Sequence, residues 1–183
     1  MSHTYTSSLF HCVFSTKDRR PAIRPEFQSD LWAYLGGIAR ANRLKALAVG
    51  GVEDHVHLLI SLPADIPLSR GLQLLKGGSS RWVHETVGRD DFRWQQGYGG
   101  FSVGVSQVDA TVAYIASQAE HHRCKTFQEE FLEILHDMGS ITTRGTYGAE
   151  FSMRAAGTHS AVPIDERPHV ETWGYFRVVP TAR

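Results

Sequence analysis

A chain of 183 residues is long enough to bury a hydrophobic core and corresponds to one domain, or to one domain with an extension. Its composition, 42% hydrophobic and 21% charged, is that of a globular protein. Lysine plus arginine equals aspartate plus glutamate at 19 each, and this zero net charge argues against a polycation that grips duplex DNA indiscriminately.

Hydrophobic periodicity predicts an alternation of strands and helices along the first three quarters of the chain. In chain order, the predicted elements are a strand over 7–16, a helix over 26–42, strands over 44–52 and 55–62, a helix over 68–87 interrupted near Gly77-Gly78, a strand within 92–104, and helices over 108–123 and 126–137. Glu53-Asp54 is the tight junction of a hairpin, and Thr126 with Glu129 forms a capping box.

The order β-α-β-β-α-β predicts an α+β protein with the ferredoxin-like, split βαβ fold. In this fold a four-stranded antiparallel sheet carries two helices on one face. The other face is either free to receive a ligand or covered by the additional C-terminal helices. Residues 1–138 are predicted to form this domain. Residues 139–183 have little periodicity and are predicted to be an extension of uncertain order, either a loose tail or a docked aromatic end.

Cysteine usage and hydropathy bear on the compartment. Cys12 and Cys124 form neither a disulfide framework nor a zinc-ribbon pattern, and Cys12 is predicted to be a reduced core residue. We find no signal-peptide pattern and no apolar run of transmembrane length. We therefore expect a cytoplasmic protein with no membrane partner.

The His55-Val56-His57 segment is the most informative local pattern. Side chains alternate on a strand, so both imidazoles point to one face and form half of a metal site. Tyr114 and Gln118 are four residues apart and share a helix face. Together they suggest metal-assisted attack on a phosphodiester by a tyrosine. The local alternatives are solvated strand histidines and an interfacial tyrosine with its ring in the core.

Several separated segments resemble one family: FHCVFSTKDRRP, GGVEDHVHLLISLP, LQLLKGGSSRW, FRWQQGYGGFSV and VAYIASQAEHH, which together span residues 9–122. The chain resembles the single-tyrosine HUH transposases of bacterial insertion sequences, the TnpA-like enzymes, and the related REP-associated tyrosine transposases. The Tyr-Ile-x-x-Gln pattern, at its position after His-x-His and joined to WQxGYG, makes this resemblance specific.

The resemblance implies an enzyme that cuts and rejoins single-stranded DNA carrying a hairpin, with residues 1–138 as its catalytic domain. Tyr114 would form a 5′-phosphotyrosine link, and no nucleotide cofactor would be needed. His55, His57 and Gln118 would bind a divalent ion, Mg²⁺ or Mn²⁺. We expect this ion rather than all-histidine zinc, because the strand offers no third imidazole. The family also implies a homodimer with two composite sites, in which the tyrosine helix of one subunit can complete the histidine pair of the other. The sequence leaves open whether Tyr114 acts in its own chain or in its partner.

Further DNA contacts are expected at basic side chains, although surface charge is often only solvated. The candidates are Lys17, Arg19, Arg20, Lys76, Arg81 and His121. His121 lies three residues after Gln118, near the same helix face, and could instead interact with the dipole at the helix C-terminus.

Two rival functions are considered. A domesticated relative would bind hairpin DNA or RNA without cleaving it. RNA-binding domains of this topology stack bases on sheet aromatics, whereas here the corresponding strand carries histidines. The second rival is a histidine-triad nucleotide hydrolase, which needs a third alternating histidine. The next alternating position holds Leu59, so we set this function aside.

Overall fold

A computed structural model of the chain describes residues 6–122 and 127–137. Over these residues it contains four strands and five α-helices. They are β1 (Leu9–Ser15), α1 (Pro25–Ala41), β2 (Lys45–Gly51), β3 (His55–Ser61), α2 (Leu68–Trp82), β4 (Gly99–Ser102), α3 (Val108–Ala116), α4 (Gln118–His121) and α5 (Phe127–Asp137). Short 3₁₀ turns follow β1 and precede α3, and a π-helical turn over Val83–Val87 follows α2.

The four strands form one antiparallel sheet in the order β2-β3-β1-β4. This order and the β-α-β-β-α-β sequence of elements confirm the predicted ferredoxin-like α+β fold. The two central strands, β1 and β3, pair so that Ser15 faces His55, Val13 faces His57 and His11 faces Leu59. Residues directly opposite each other in an antiparallel pair point to the same side of the sheet. The pairing therefore places His11 on the same face as the two histidines of β3.

α1 and α2 cover one face of the sheet and form the larger core. Their apolar stripes pack against Val56, Leu58 and Ile60 of β3, with buried Leu31, Leu35, Leu72 and Leu75 contributed by the helices. Removing each such side chain from water stabilises the fold by about 1.5–3 kcal/mol. Pro25 opens α1, where its fixed φ suits the first helical turn.

α3 and α5 cover the opposite face. Ile115 of α3 packs with Leu59 and Val103, and Phe131 of α5 packs with Val13 and Phe101. Of the two alternatives predicted for this face, the structure therefore shows the covered one.

Three element boundaries differ from the sequence prediction. α2 is not interrupted at Gly77-Gly78 but runs unbroken to Trp82. A Cβ atom at position 78 would lie 2.9 Å from Ile38 Cδ1, so this glycine allows α1 and α2 to approach. The last strand is only Gly99–Ser102, because the segment before it makes a single bridge between Trp94 and Thr16.

The helix predicted over 108–123 is broken. α3 ends at Ala116, and Ser117 leaves the helical region with φ −93° and ψ 9°. Its N–H donates to the carbonyls of Ala113 and Tyr114, which closes α3 before α4 begins at Gln118.

Several predictions lie outside the described residues: the cap at Thr126, the state of Cys124, and the extension over 139–183. Cys12 is fully buried and carries a free thiol, as predicted, and burial raises its pKa to about 12. In the described part of the chain, no helix has both the length and the apolarity needed to cross a bilayer.

Candidate active site

β3 presents its two histidines to the face covered by α3 and α5. His55 and His57 share this face with Leu59, whereas Val56 and Leu58 point into the core under α1 and α2. Both imidazoles are fully buried. Buried imidazoles in a closed layer exclude the alternative of a solvated histidine pair.

Asp54 orients His55. Its Oδ1 lies 2.6 Å from His55 Nδ1, and its Oδ2 accepts a hydrogen bond from Arg19 Nη2 at 2.8 Å. Burial raises the pKa of Asp54, but the hydrogen bonds and charges of His55 and Arg19 outweigh it and lower the pKa to about 2. The ionised carboxylate favours a proton on His55 Nδ1, and this tautomer has a lone pair on Nε2.

His11 contacts the second histidine in the same way. Its Nε2 lies 3.0 Å from His57 Nδ1, and the two rings are tilted by 31°. Burial and the charge of His57 lower the pKa of His11 well below its usual value, which favours a neutral ring. A neutral His11 can accept a hydrogen bond at Nε2 from the Nδ1–H of His57, and in this tautomer His57 Nε2 carries a lone pair.

Glu130 of α5 lies where the Nε2 atoms converge. Its Oε2 lies 3.7 Å from His55 Nε2, 3.4 Å from His57 Nε2 and 3.0 Å from His122 Nε2. All four ligand atoms lie within 4.8 Å of one another. Burial raises the pKa of Glu130 to about 8, although the charge of His55 opposes this shift. A buried carboxylate among three imidazoles is a typical setting for a metal ion.

Tyr114 lies beside this cluster. Its ring centroid is 5.7 Å from that of His57 and 6.0 Å from that of His11, both edge to face. The side chain is half-buried on α3, and its neighbour Ile115 anchors the helix to the sheet. The predicted tyrosine and histidines are therefore brought together within one chain.

Gln118 also reaches the cluster, although the break at Ser117 separates its helix from that of Tyr114. It is fully buried, and its Nε2 donates a hydrogen bond to Glu130 Oε1 at 3.1 Å. Its own Oε1 is buried without a hydrogen-bond partner among the described residues. A buried amide oxygen left in this state is a suitable ligand for a cation.

The donors present fit a divalent ion. The cluster offers imidazole nitrogens, a carboxylate oxygen and the amide oxygen of Gln118, all within a buried layer. Imidazole suits transition metals, and oxygen suits Mg²⁺ and Mn²⁺.

The basic residues after β1 lie at the His55 end of the sheet, since Ser15 pairs with His55. Lys17 and Arg20 are exposed, whereas Arg19 is held on Asp54. Asp18 and Arg19 both have left-handed backbones, with φ of 56° and 53°. Such conformations cost about 1–3 kcal/mol each in residues with a Cβ and are often found at functional sites.

The other basic candidates are placed differently. Lys76 is half-buried, and its ammonium donates to the carbonyls of Gln95 and Gly97 at 2.7 Å each. These two hydrogen bonds hold the loop before β4. Burial also lowers the pKa of Lys76 to about 8. Arg81 is exposed on α2, the helix layer opposite the histidine cluster. His121 ends α4.

Sequence reasoning did not place His11, His122 or Glu130 in the cluster. Its premise that the strand itself offers no third imidazole holds. The third imidazole comes from His122, beyond the strand. A signal did exist for Glu130: it lies one residue before Phe131 and four before Ile134, next to the apolar stripe of its helix. Nothing local marks His11, whose neighbours depend on strand pairing.

Comparisons with known proteins identify the family of this chain. The family model described as "Transposase IS200 like" matches residues 4–118. The transposases for insertion sequence element IS200 from Salmonella typhimurium and Salmonella typhi are each 28% identical over 129 residues, which cover 67% of this chain and 84% of theirs.

Solved structures agree on the fold. A putative transposase from Deinococcus radiodurans R1 has a TM-score of 0.50 and 23% identity, covering 64% of this chain and 96% of its own. A REP-associated tyrosine transposase bound to a REP hairpin has a TM-score of 0.51 and 16% identity. The match covers 67% of this chain and 73% of that one. The matched family span includes His55, His57, Tyr114 and Gln118 and ends before His122 and Glu130. Because this span is more than half of its length, the chain belongs to the IS200-like transposase family.

Proposed function

We propose that this transposase cuts and rejoins single-stranded DNA at hairpin-bearing ends, with Tyr114 as the nucleophile. The observation that carries the proposal is the position of Tyr114, whose ring centroid lies 5.7 Å from that of the buried His57 in the same chain. Tyrosine is a competent nucleophile for phosphoryl groups when its phenolate is favoured.

The chemistry conserves the phosphodiester. The phenol oxygen of Tyr114 attacks the scissile phosphorus, the bond to the 3′-oxygen breaks, and that oxygen takes up a proton. The product is a 5′-phosphotyrosine diester and a free 3′-hydroxyl. Rejoining is the reverse reaction with a new 3′-hydroxyl, so no nucleotide cofactor is required. A free tyrosine has a pKa of about 10, so nearby positive charge favours the reactive phenolate.

His55, His57 and Gln118 would hold a divalent ion, Mg²⁺ or Mn²⁺. Bound there, the ion would supply a Lewis acid that neutralises charge on the non-bridging phosphate oxygens. The chain's own contribution is orientation: Asp54 and His11 direct the Nε2 atoms of the two histidines into the site. Neutral imidazoles leave the full charge of the ion available for the phosphate.

The DNA substrate would approach the sheet end that carries Lys17 and Arg20, which are exposed beside the site. One structural neighbour is a transposase bound to a REP hairpin, which supports a hairpin substrate for this chain. The zero net charge fits recognition of a structured hairpin better than indiscriminate binding. Homodimer formation, implied by the family resemblance, is part of this proposal.

Covalent trapping tests the proposal. Single-stranded oligonucleotides covering both strands that flank the gene are incubated with the full chain and Mg²⁺ or Mn²⁺, then separated on a denaturing gel. We expect an adduct that survives denaturation, is lost in Tyr114→Phe and is lost when a chelator is added. Tyr98→Phe serves as the matched control.

Two results contradict this function. Binding of the oligonucleotides without any adduct, with both metals, would identify a non-cleaving relative. An adduct that persists in Tyr114→Phe would show that another residue is the nucleophile.

A further inference from the structure

The Glu130 carboxylate has the geometry of a metal ligand. Its Oε2 lies 3.0, 3.4 and 3.7 Å from the Nε2 atoms of His122, His57 and His55. Ligand atoms around a tetrahedral ion with bonds of about 2.0–2.1 Å lie about 3.4 Å apart. In an octahedral shell with the same bond lengths, neighbouring ligands lie about 2.9 Å apart. The three distances from Glu130 Oε2 bracket the tetrahedral value, and all four ligand atoms lie within 4.8 Å of one another.

Each of three ligands also has a polar partner that orients it. Asp54 holds Nδ1 of His55, His11 holds Nδ1 of His57, and Gln118 donates to the second oxygen of Glu130. Such outer contacts direct the ligand atoms inward and are typical of sites built for a metal. Three such contacts, on two residues of β3 and one of α5, are not needed for packing alone.

We propose that His55, His57, His122 and Glu130 form a closed, four-ligand site for a zinc-class ion. Three imidazole nitrogens and one carboxylate oxygen suit Zn²⁺, whereas Mg²⁺ avoids nitrogen-rich, tetrahedral sites. His122 and Glu130 both lie beyond the span that matches the family model.

A closed zinc site would also affect DNA cleavage, and this part of the inference rests on the proposed function. Four protein ligands leave no open position on a tetrahedral ion for a phosphate oxygen. Bound Zn²⁺ would therefore hold Glu130 over the two histidines of β3 and block the DNA. Removal of Glu130 from the cluster would expose the histidines and the amide oxygen of Gln118 to an oxygen-preferring ion.

Metal titration tests the site without any DNA. The full chain is stripped with a chelator and titrated with Zn²⁺ against a chromophoric competitor. We expect one ion per chain, and an affinity lowered roughly 100-fold or more in Glu130→Gln and in His122→Asn, since even outer-shell changes cost about 10–100-fold. Glu129→Gln, an exposed neighbour on the same helix, is the control and should bind as the parent does. Circular dichroism of every stripped variant establishes that it is folded.

Co²⁺ substitution reports the coordination number. A four-coordinate ion gives strong visible absorption, and we expect this spectrum in the parent and in Glu129→Gln. In Glu130→Gln and His122→Asn the absorption should weaken to that of a five- or six-coordinate ion. Parent and Glu130→Gln proteins with equal Zn²⁺ affinity and the same weak Co²⁺ spectrum would overturn the proposal.

The blocking effect is tested separately. One equivalent of Zn²⁺ should abolish adduct formation in Mg²⁺, and a zinc-selective chelator should restore it. Adduct formation unaffected by bound Zn²⁺ would overturn the blocking role. If no adduct forms under any condition while the titration and the spectrum hold, the proposed function fails and the zinc site stands.

Discussion

At the scale of single residues, the orientation of His57 depends on His11. His11 Nε2 lies 3.0 Å from His57 Nδ1, within hydrogen-bond distance. Both rings are buried. His11 therefore acts as a positioning residue for whichever divalent ion His57 binds.

Replacing His11 tests this role. We expect His11→Phe to lower the affinity for Mn²⁺ and for Zn²⁺ by about 10–100-fold, because His57 loses the contact that sets its tautomer. His11→Gln retains an amide oxygen that can accept from His57 Nδ1 and should recover part of the affinity. Isothermal titration calorimetry measures both variants, and thermal melting of the stripped proteins serves as the folding control. Unchanged affinity in His11→Phe would remove the positioning role.

The sequence predicted that His55 and His57 point to the same face of the sheet, because the alternation of side chains along a strand is a local property. The same reasoning reached Tyr114 and Gln118 through their spacing. It did not reach His11, because its partner lies 46 residues away and is set by the pairing of β1 with β3. Lys76, predicted to contact DNA, donates from its ammonium to two loop carbonyls, and its contact with DNA stays a prediction.

At the scale of elements, the position of α3 depends on a glycine in β2. A Cβ atom at position 50 would lie 2.3 Å from the carbonyl oxygen of Ile115, which is backbone and cannot turn away. Gly50 pairs with His57 across the sheet, and Ile115 directly follows Tyr114. This close approach sets the distance between the tyrosine helix and the histidine pair.

Gly50→Ala should therefore displace α3 from the sheet. We expect a loss of stability of about 1–3 kcal/mol from overpacking. Adduct formation should fall by about 100-fold, since a displacement of about 1 Å can cost that much in rate. Urea unfolding and the trapping assay measure the two effects. Gly77→Ala is the control, because a Cβ atom there meets nothing within 4 Å. Equal behaviour of both variants would show that α3 does not depend on this contact.

Element prediction succeeded where one strong periodicity governs a segment, as in α1 and the β2–β3 hairpin. It failed at α2, where two glycines suggested an interruption but Gly78 instead accommodates Ile38 of the neighbouring helix. It failed again at Ser117, because the end of α3 and the start of α4 follow the sheet and the Glu130 contact rather than helix propensity.

At the scale of the whole molecule, one chain assembles the tyrosine and the histidines. The family resemblance implies a site shared across a dimer, whereas here Tyr114 lies beside His57 of its own chain. α3 is fixed to its own sheet by Ile115 and by the close contact at Gly50. We therefore propose that Tyr114 serves the histidine pair of its own chain, whether or not the protein dimerises.

Complementation between two inactive variants distinguishes the arrangements. His57→Asn and Tyr114→Phe chains are co-expressed, so that mixed dimers can form, and are assayed by trapping. We expect no adduct, because neither chain carries a complete site. Parent chain co-expressed with Tyr114→Phe should retain the adduct and serves as the control. Recovery of the adduct in the mixture of the two variants would establish a shared site.

The sequence by itself determined the α+β class, the order of the elements, the family resemblance and the facing of the histidine pair. These features depend on periodicity and spacing within short segments, where side-chain direction follows from local backbone geometry. Tertiary structure alone decided that His11, His122 and Glu130 join the cluster and that Gln118 contacts a carboxylate. Those contacts link residues from β1, β3 and the α4–α5 region, and long-range packing brings these elements to one buried layer.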